Sequence, residues 1–266
     1  MPENQYKNRF SLRIDVDTSI GMREGLPRLL DMLDSLEIAA TIYVVMGPDK
    51  NFSALVSRLG WARATYSIAQ SRPALVVDDN PSVIERLKLG RHIVAPHGWD
   101  HQRYAMMNLT GDEKREEIDR ALRKFHETFG RMASAYLFPA DKMDDEAVAY
   151  LRKQGVMRVA CNPRSFSTLD PFVREGTFFL PVFPFYDGDM LLRGDTAEDI
   201  RGLYVSYVDF CQKNEQTCSI AVHPCPSGIG GNDARVSALR NVLLHAKSRG
   251  FSFHTIDQLA ELSKMP

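Results

Sequence analysis

The stretch FSLRIDVDTSIGMREGLPRLLDMLDSLEIAATIYVV, residues 10–45, sets the fold. Its opening run, 10–16, is β-rich and ends in Asp15-Val16-Asp17. Residues 23–36 then carry Leu26, Leu29, Leu30, Leu33 and Leu36 at helical spacing, one apolar stripe on an otherwise polar helix. A second β-rich run covers 40–45. Strand, amphipathic helix and strand in about 36 residues make a βαβ unit, which requires two parallel strands joined by a helical crossover.

The same alternation continues outward. Residues 47–80 are irregular and read as a candidate inserted lid, and 81–88 as a helix. A third strand is predicted at 91–95. Thr110 and Glu113 form a capping-box pattern that opens a helix closed by Gly130. Strands at 133–137, 156–160, 178–183, 218–222 and 251–254 are predicted, with helices at 145–154, 197–213 and 234–248. Thr255 and Gln258 cap a last helix. Seven or eight such units suggest a closed or nearly closed (β/α) barrel, with a doubly wound open sheet as the alternative. No G-x-G-x-x-G follows the first strand, which lowers the dinucleotide-binding variant.

Bulk properties agree with one domain over residues 1–266. Apolar residues are 44% of the chain and charged residues 25%, enough for a large core with an ordinary surface. The net charge of -1 gives no footprint for nucleic acid. No apolar run reaches the ~18 residues needed to span a bilayer, and the polar N-terminus has no signal-peptide core. Cys161, Cys211, Cys218 and Cys225 form no C-x-x-C pair, so free thiols in the cytoplasm are expected. Composition says nothing of the oligomeric state.

Three clusters carry candidate chemistry. Asp15 and Asp17 alternate onto one strand face, where two carboxylates repel unless a cation or a shared proton relieves them. The bland reading is a solvated strand end. A rival is the D-x-D of glycosyltransferases, which normally lies deeper in a chain. The second cluster is His97-Gly98-Trp99-Asp100-His101, directly after the third strand. Histidines four apart on one helical turn can reach one ion, although H-x-x-x-H alone is weak. The third is His223-Pro224, after the strand at 218–222. All three fall at strand C-terminal ends, the rim on which α/β barrels build their sites. One carboxylate and two imidazoles make a common ligand set for a catalytic metal. His92, His126, His245 and His254 read as structural or surface residues, and Cys225 as a buried thiol more readily than a nucleophile.

On these residues the chain resembles the polysaccharide deacetylase superfamily. The likeness lies in Leu12-Arg13-Ile14-Asp15-Val16-Asp17-Thr18, in Arg23-Glu24-Gly25-Leu26-Pro27-Arg28-Leu29-Leu30, in the His97–His101 segment, in Leu180-Pro181-Val182 and in the strand ending at His223. Within the superfamily it runs to the bacterial deformylases of a 4-formamido-arabinose linked to undecaprenyl phosphate. The resemblance implies a distorted (β/α)7–8 barrel and a divalent metal, zinc by expectation. It implies Asp15 as general base, Asp17, His97 and His101 as metal ligands, and His223 as general acid. The implied activity is removal of an N-formyl or N-acetyl group from an amino sugar, free or lipid-linked, which for a lipid-linked substrate places the chain at the inner membrane surface. A non-hydrolytic carbohydrate-binding relative and a different metal-dependent barrel enzyme are the alternatives. Tyr186, Asp187 and Asp189 fall where a substrate loop is expected, with Asp187 a candidate to orient His223.

One departure stands out. Most members carry an arginine in a third motif that pairs with the catalytic aspartate. The matching stretch here is Tyr136-Leu137-Phe138-Pro139-Ala140-Asp141-Lys142, which has none. Lys142 or Arg164 is the expected substitute.

Overall fold

The computed structural model describes residues 6–49, 75–163, 166, 168–183 and 186–263. The lid expected at 47–80 lies mostly outside them. Its described ends meet, with Pro48 bridging Leu75 in antiparallel fashion and Val76 and Val77 buried.

Nine strands occur among the described residues: β1 (Arg9–Val16), β2 (Thr41–Val44), β3 (Ile93–Pro96), β4 (Ala135–Leu137), β5 (Arg158–Cys161), β6 (Phe172–Arg174), β7 (Thr177–Pro181), β8 (Cys218–Val222) and β9 (Ser252–Phe253). They alternate with helices α1 (Leu26–Leu36), α2 (Pro81–Leu89), α3 (His101–Met106), α4 (Gly111–Phe129), α5 (Asp145–Lys153), α6 (Asp187–Leu192), α7 (Ala197–Lys213), α8 (Asp233–Ser248) and α9 (Ile256–Leu262). One sheet runs β3-β2-β1-β8, and the short β9 also pairs with β1. The other runs β4-β5-β7-β6. Every ladder is parallel except β6–β7. The sheets adjoin at β3 and β4, and at β7 and β8, where the Phe183 N–H donates to Ser219 O at 2.8 Å. The result is the expected distorted barrel, with ladder pairing interrupted at two seams.

Alternation decides which residues face the interior. On β1, Phe10, Leu12, Ile14 and Val16 pack outward against the helices. Ser11, Arg13 and Asp15 point the other way and are buried. Their neighbours in register continue that inner face: Arg13 beside Thr41 and Ala221, Asp15 beside Tyr43. The interior is otherwise filled by Ala95, Ala135, Leu137, Ala160, Phe178 and Leu180, and Ile256, Leu259 and Ala260 of α9 close its N-terminal end. The Ile256 N–H donates to the Thr41 hydroxyl at 2.9 Å, fixing that plug. The barrel is therefore a packed core, with each fully buried Leu or Phe side chain contributing about 1.5–3 kcal/mol.

The capping boxes expected at Thr110–Glu113 and Thr255–Gln258 are present. The first α-helix begins at Leu26, the first leucine of the stripe, and not at residue 23 as expected. Gly21–Gly25 form a π-helical turn, and Pro27 then sits in the first turn of α1. Gly25 is required there, because a Cβ would lie 1.7 Å from Pro224 O, in the loop that carries His223.

Candidate active site

Asp15 and Asp17 leave β1 on its inner face, as alternation requires. His97 directly follows β3, and its Nδ1 lies 3.2 Å from Leu137 O. That contact makes Nδ1 the protonated nitrogen and turns Nε2 toward Asp17. The two histidines do not share one helical turn, contrary to the expectation from their spacing. Gly98 is left-handed (φ 72°), and a Cβ there would meet Pro139 at 2.7 Å. The chain reverses at that point, and His101 starts a separate helix, α3. Asp100 caps α3 through the Arg103 N–H at 2.8 Å. The two rings end 4.9 Å apart, tilted by 70°.

The three candidate ligand atoms lie within 4.8 Å of one another. Asp17 Oδ1 is 3.2 Å from His97 Nε2 and 3.8 Å from His101 Nε2. This buried oxygen has no hydrogen-bond donor. A buried carboxylate oxygen without a donor, facing two imidazole nitrogens, is a donor set suited to a cation. Burial opposes the charge of Asp17, but the imidazoles of His101, His97 and His223 outweigh it and hold the carboxyl below its ordinary range.

Asp15 stands beside this set, 1% exposed, and the arginine that grips it is Arg13. Arg13 Nε donates to Asp15 at 2.8 and 2.9 Å, and Nη2 donates to Oδ2 at 2.6 Å. Its Nη1 donates to Asp141 at 3.0 Å. The third-motif stretch thus supplies a carboxylate, and the guanidinium comes from two residues before Asp15 on the same strand face. Lys142 does not take that place, since its ammonium donates to Ala105 O. Arg164 lies outside the described residues. The spacing Arg13-x-Asp15-x-Asp17 held this signal, because period two puts all three on one face.

His223 completes the group. Its Nε2 is 3.8 Å from Asp15 and 3.7 Å from Asp17. Its Nδ1 lies 2.6 Å from Asp187 Oδ1. Asp187 is fully buried and also accepts from the N–H groups of His223 at 3.0 Å and Ile229 at 2.5 Å. Burial works against a charged His223, but Asp187 outweighs it, and the imidazole is held well above its ordinary value. Tyr186 and Asp189 line the same cavity, which measures about 360 Å³. Cys225 also lines it, and burial pushes its thiol up, against service as a nucleophile.

Glu117 was not anticipated. It is 1% exposed on α4, accepts the Asp100 N–H at 3.0 Å and the Arg103 guanidinium at 2.6 Å, and so pins the turn before His101. Glu117 sits on the buried stripe of α4 with Ile118, Ala121 and Phe125. An acid at a core position of an amphipathic helix is the signal that could have found it.

A parallel barrel with an acid–imidazole cluster on its C-terminal rim has its candidate active site where barrel enzymes build theirs. The polysaccharide deacetylase family model matches residues 7–159, more than half of the chain, and the chain belongs to that family, whose members hydrolyse N-acyl groups from sugars. Among curated proteins, the chain is 27% identical over 135 residues to one from Shewanella sediminis (strain HAW-EB3), described as a probable 4-deoxy-4-formamido-L-arabinose-phosphoundecaprenol deformylase. The match covers 44% of each chain, so this protein spans less than half of that relative. Among solved structures, a Mycobacterium smegmatis protein described as a polysaccharide deacetylase has a TM-score of 0.70 at 17% identity. It covers 99% of this chain and 91% of its own. PuuE allantoinase has a TM-score of 0.69 at 15% identity, covering 97% and 90%. At these identities the two structures speak for the fold. Among the described residues, no helix is long and apolar enough to cross a membrane.

Proposed function

We propose that this chain is a metal-dependent hydrolase, one catalytic domain over residues 1–266, that removes an N-formyl or N-acetyl group from an amino sugar or sugar-lipid. The observation that carries this reading is the donorless Asp17 oxygen facing His97 and His101, flanked by the Arg13–Asp15 and Asp187–His223 pairs. Asp17, His97 and His101 would hold a divalent ion, zinc by the chemistry of the set. Bound there, such an ion supplies Lewis acidity and a water acidified toward neutrality.

The chain's own residues do the rest. Asp15 accepts a proton from the attacking water through a carboxylate fixed by Arg13, which cannot itself deprotonate. Amide nitrogen leaves poorly until it is protonated. His223 Nε2 delivers that proton, while Asp187 holds Nδ1 and keeps the ring in the donating state. Removing the pairing of Asp15 would leave the base free to rotate toward the ligand set, so Arg13 separates the roles of Asp15 and Asp17. A formylated sugar on a lipid phosphate would require the protein to work at the cytoplasmic face of the inner membrane.

Elemental analysis of protein purified without chelator should find about one equivalent of zinc or another first-row metal. A screen of N-formyl and N-acetyl amino sugars, free, nucleotide-linked and lipid-linked, should release primary amine. Full metal content in a His97→Ala, His101→Ala double variant would refute the ligand set. Tight sugar binding without amine release would leave a carbohydrate-binding protein.

A further inference from the structure

Two neighbouring residues, Tyr186 and Asp187, hold opposite sides of the candidate site. Asp187 is bonded to His223, on the acid side. The Tyr186 hydroxyl donates to Asp141 Oδ2. Asp141 Oδ1 accepts from Arg13, and Arg13 grips Asp15, on the base side. The Tyr186 ring also lies 6.0 Å from the His223 ring, edge to face, and 5.9 Å from the Arg13 guanidinium carbon.

We propose that Tyr186 and Asp141 are positioning residues, which together with Asp187 form a strut that fixes the distance between the base Asp15 and the acid His223. The chain of contacts runs Tyr186 to Asp141 to Arg13 to Asp15, and one peptide bond joins its far end to the residue that orients His223. Neither catalytic side chain can shift alone without stretching a buried contact. Three observations support an arrangement built for this purpose. Arg13 and Asp141 each leave only 5% of the side chain exposed, so their contact is shielded from solvent. Ala140 and Asp141 both hold left-handed backbone conformations, φ 54° and 52°, which non-glycine residues rarely adopt. That bend aims Asp141 at Arg13, and strained backbone of this sort concentrates at functional sites. Burial also pushes the Tyr186 phenol up, so its hydroxyl remains a donor to Asp141.

A plain alternative is that Tyr186 touches substrate, since it lines the cavity. The two readings separate experimentally in the full-length, metal-replete protein. In the first arm, the buried Arg13 Nε–H is followed by nitrogen-15 NMR and assigned by its disappearance in Arg13→Lys. Tyr186→Phe and Asp141→Asn should each strip that proton of its protection from exchange. Undisturbed protection in both variants overturns the strut.

The second arm rests on the hydrolase reading and uses whichever N-formyl or N-acetyl amino sugar the parent turns over. Tyr186→Phe and Asp141→Asn should each lower kcat by about 10-fold, with KM and metal content unchanged. In an Arg13→Lys background, where one ammonium cannot bridge both carboxylates, Tyr186→Phe should cost no more than about 2-fold further. An equal loss in both backgrounds, or a change in KM alone, makes Tyr186 a substrate contact and ends the proposal. If the parent turns over no such sugar, the hydrolase reading fails while the guanidinium arm still decides the strut.

Discussion

The inner face of the β3-β2-β1-β8 sheet carries Arg13, Asp15 and His97 and ends at Asp17 and His223, whereas the inner face of β4-β5-β7 carries Ala135, Leu137, Ala160, Phe178 and Leu180. The first sheet bears the candidate reacting groups. The second is apolar within the barrel apart from Arg158 at its N-terminal end, and contributes at its rim through loops, which bring Asp141, Tyr186 and Asp187 to the first sheet's residues. This division has a physical reason. Strand ladders fix a side chain to within the pleat, which suits groups that must meet a reacting atom. Loops can bend to bring support from the side, at the cost of strain such as that at Ala140 and Asp141. Substitutions on the two sides should therefore differ in kind. On the first sheet they remove chemistry. On the second they loosen it.

The largest effects are expected on the first sheet. Asp15→Asn keeps shape but removes the base, and His223→Ala removes the acid. Each should lower kcat by about 10²–10⁴ with metal content intact. Should Asp15→Asn lose metal as thoroughly as Asp17→Asn, the two aspartates share the ligand role, and the contrast between them fails. Should His223→Ala lower only the melting temperature, with kcat of the folded fraction intact, His223 is a packing residue.

A smaller effect is expected from the loop support of His223. Asp187→Asn keeps one acceptor but removes the charge that holds the imidazole above its ordinary value against burial. The loss in kcat should be about 10–10²-fold. The pH profile gives the sharper sign. With His223 as the proposed acid, activity should fall as pH rises through its pKa, and the variant should begin this fall at lower pH than the parent. The same raised pKa stabilises the folded chain. That contribution is complete below the ordinary histidine value near 6.5 and is lost as pH climbs through the folded value. Asp187→Asn should flatten this dependence in thermal melts. A basic limb left at the parental pH would mean that Asp187 does not set the charge of His223.

The same contrast explains how much could be read without coordinates. The candidate residues lie at the ends of periodic segments, so Asp15, Asp17, His97, His101 and His223 could be singled out from strand position and spacing, and the fold brings them together. The helices with strong stripes or caps, 110–129 and 197–213, fall within a residue of their expected bounds. What spacing missed depends on three dimensions. His97 and His101 meet through a left-handed Gly98 and a helix start, and H-x-x-x-H spacing cannot tell that from a single helical turn. The antiparallel β6 and the short α3 carry too few residues to show a period. Arg13 shares the strand face of Asp15 two residues away, so period two held that pairing. An arginine was sought in the third motif because the family resemblance places one there, and only the second contact of Arg13, to Asp141 128 positions along the chain, is beyond the reach of spacing.

The smallest expected effect tests that reassignment. Lys142 follows Asp141 and is the cation that the third-motif stretch itself supplies, so by sequence it was a fair substitute for the absent arginine. In the fold its ammonium turns away and donates to Ala105 O, the carbonyl of a residue in α3. Asp15 already receives its donors from Arg13, while Lys142 is bonded elsewhere. Lys142→Ala should therefore leave kcat and KM within about 2-fold of the parent and change stability by no more than about 0.5 kcal/mol, as for an ordinary surface position. Arg13→Lys in the same assay should lose activity clearly, since one ammonium cannot reproduce the three contacts to Asp15 and the one to Asp141. If the two results were reversed, with Lys142→Ala inactive and Arg13→Lys active, the base would be oriented from the second sheet. The division of labour between the sheets would then be wrong at its central residue.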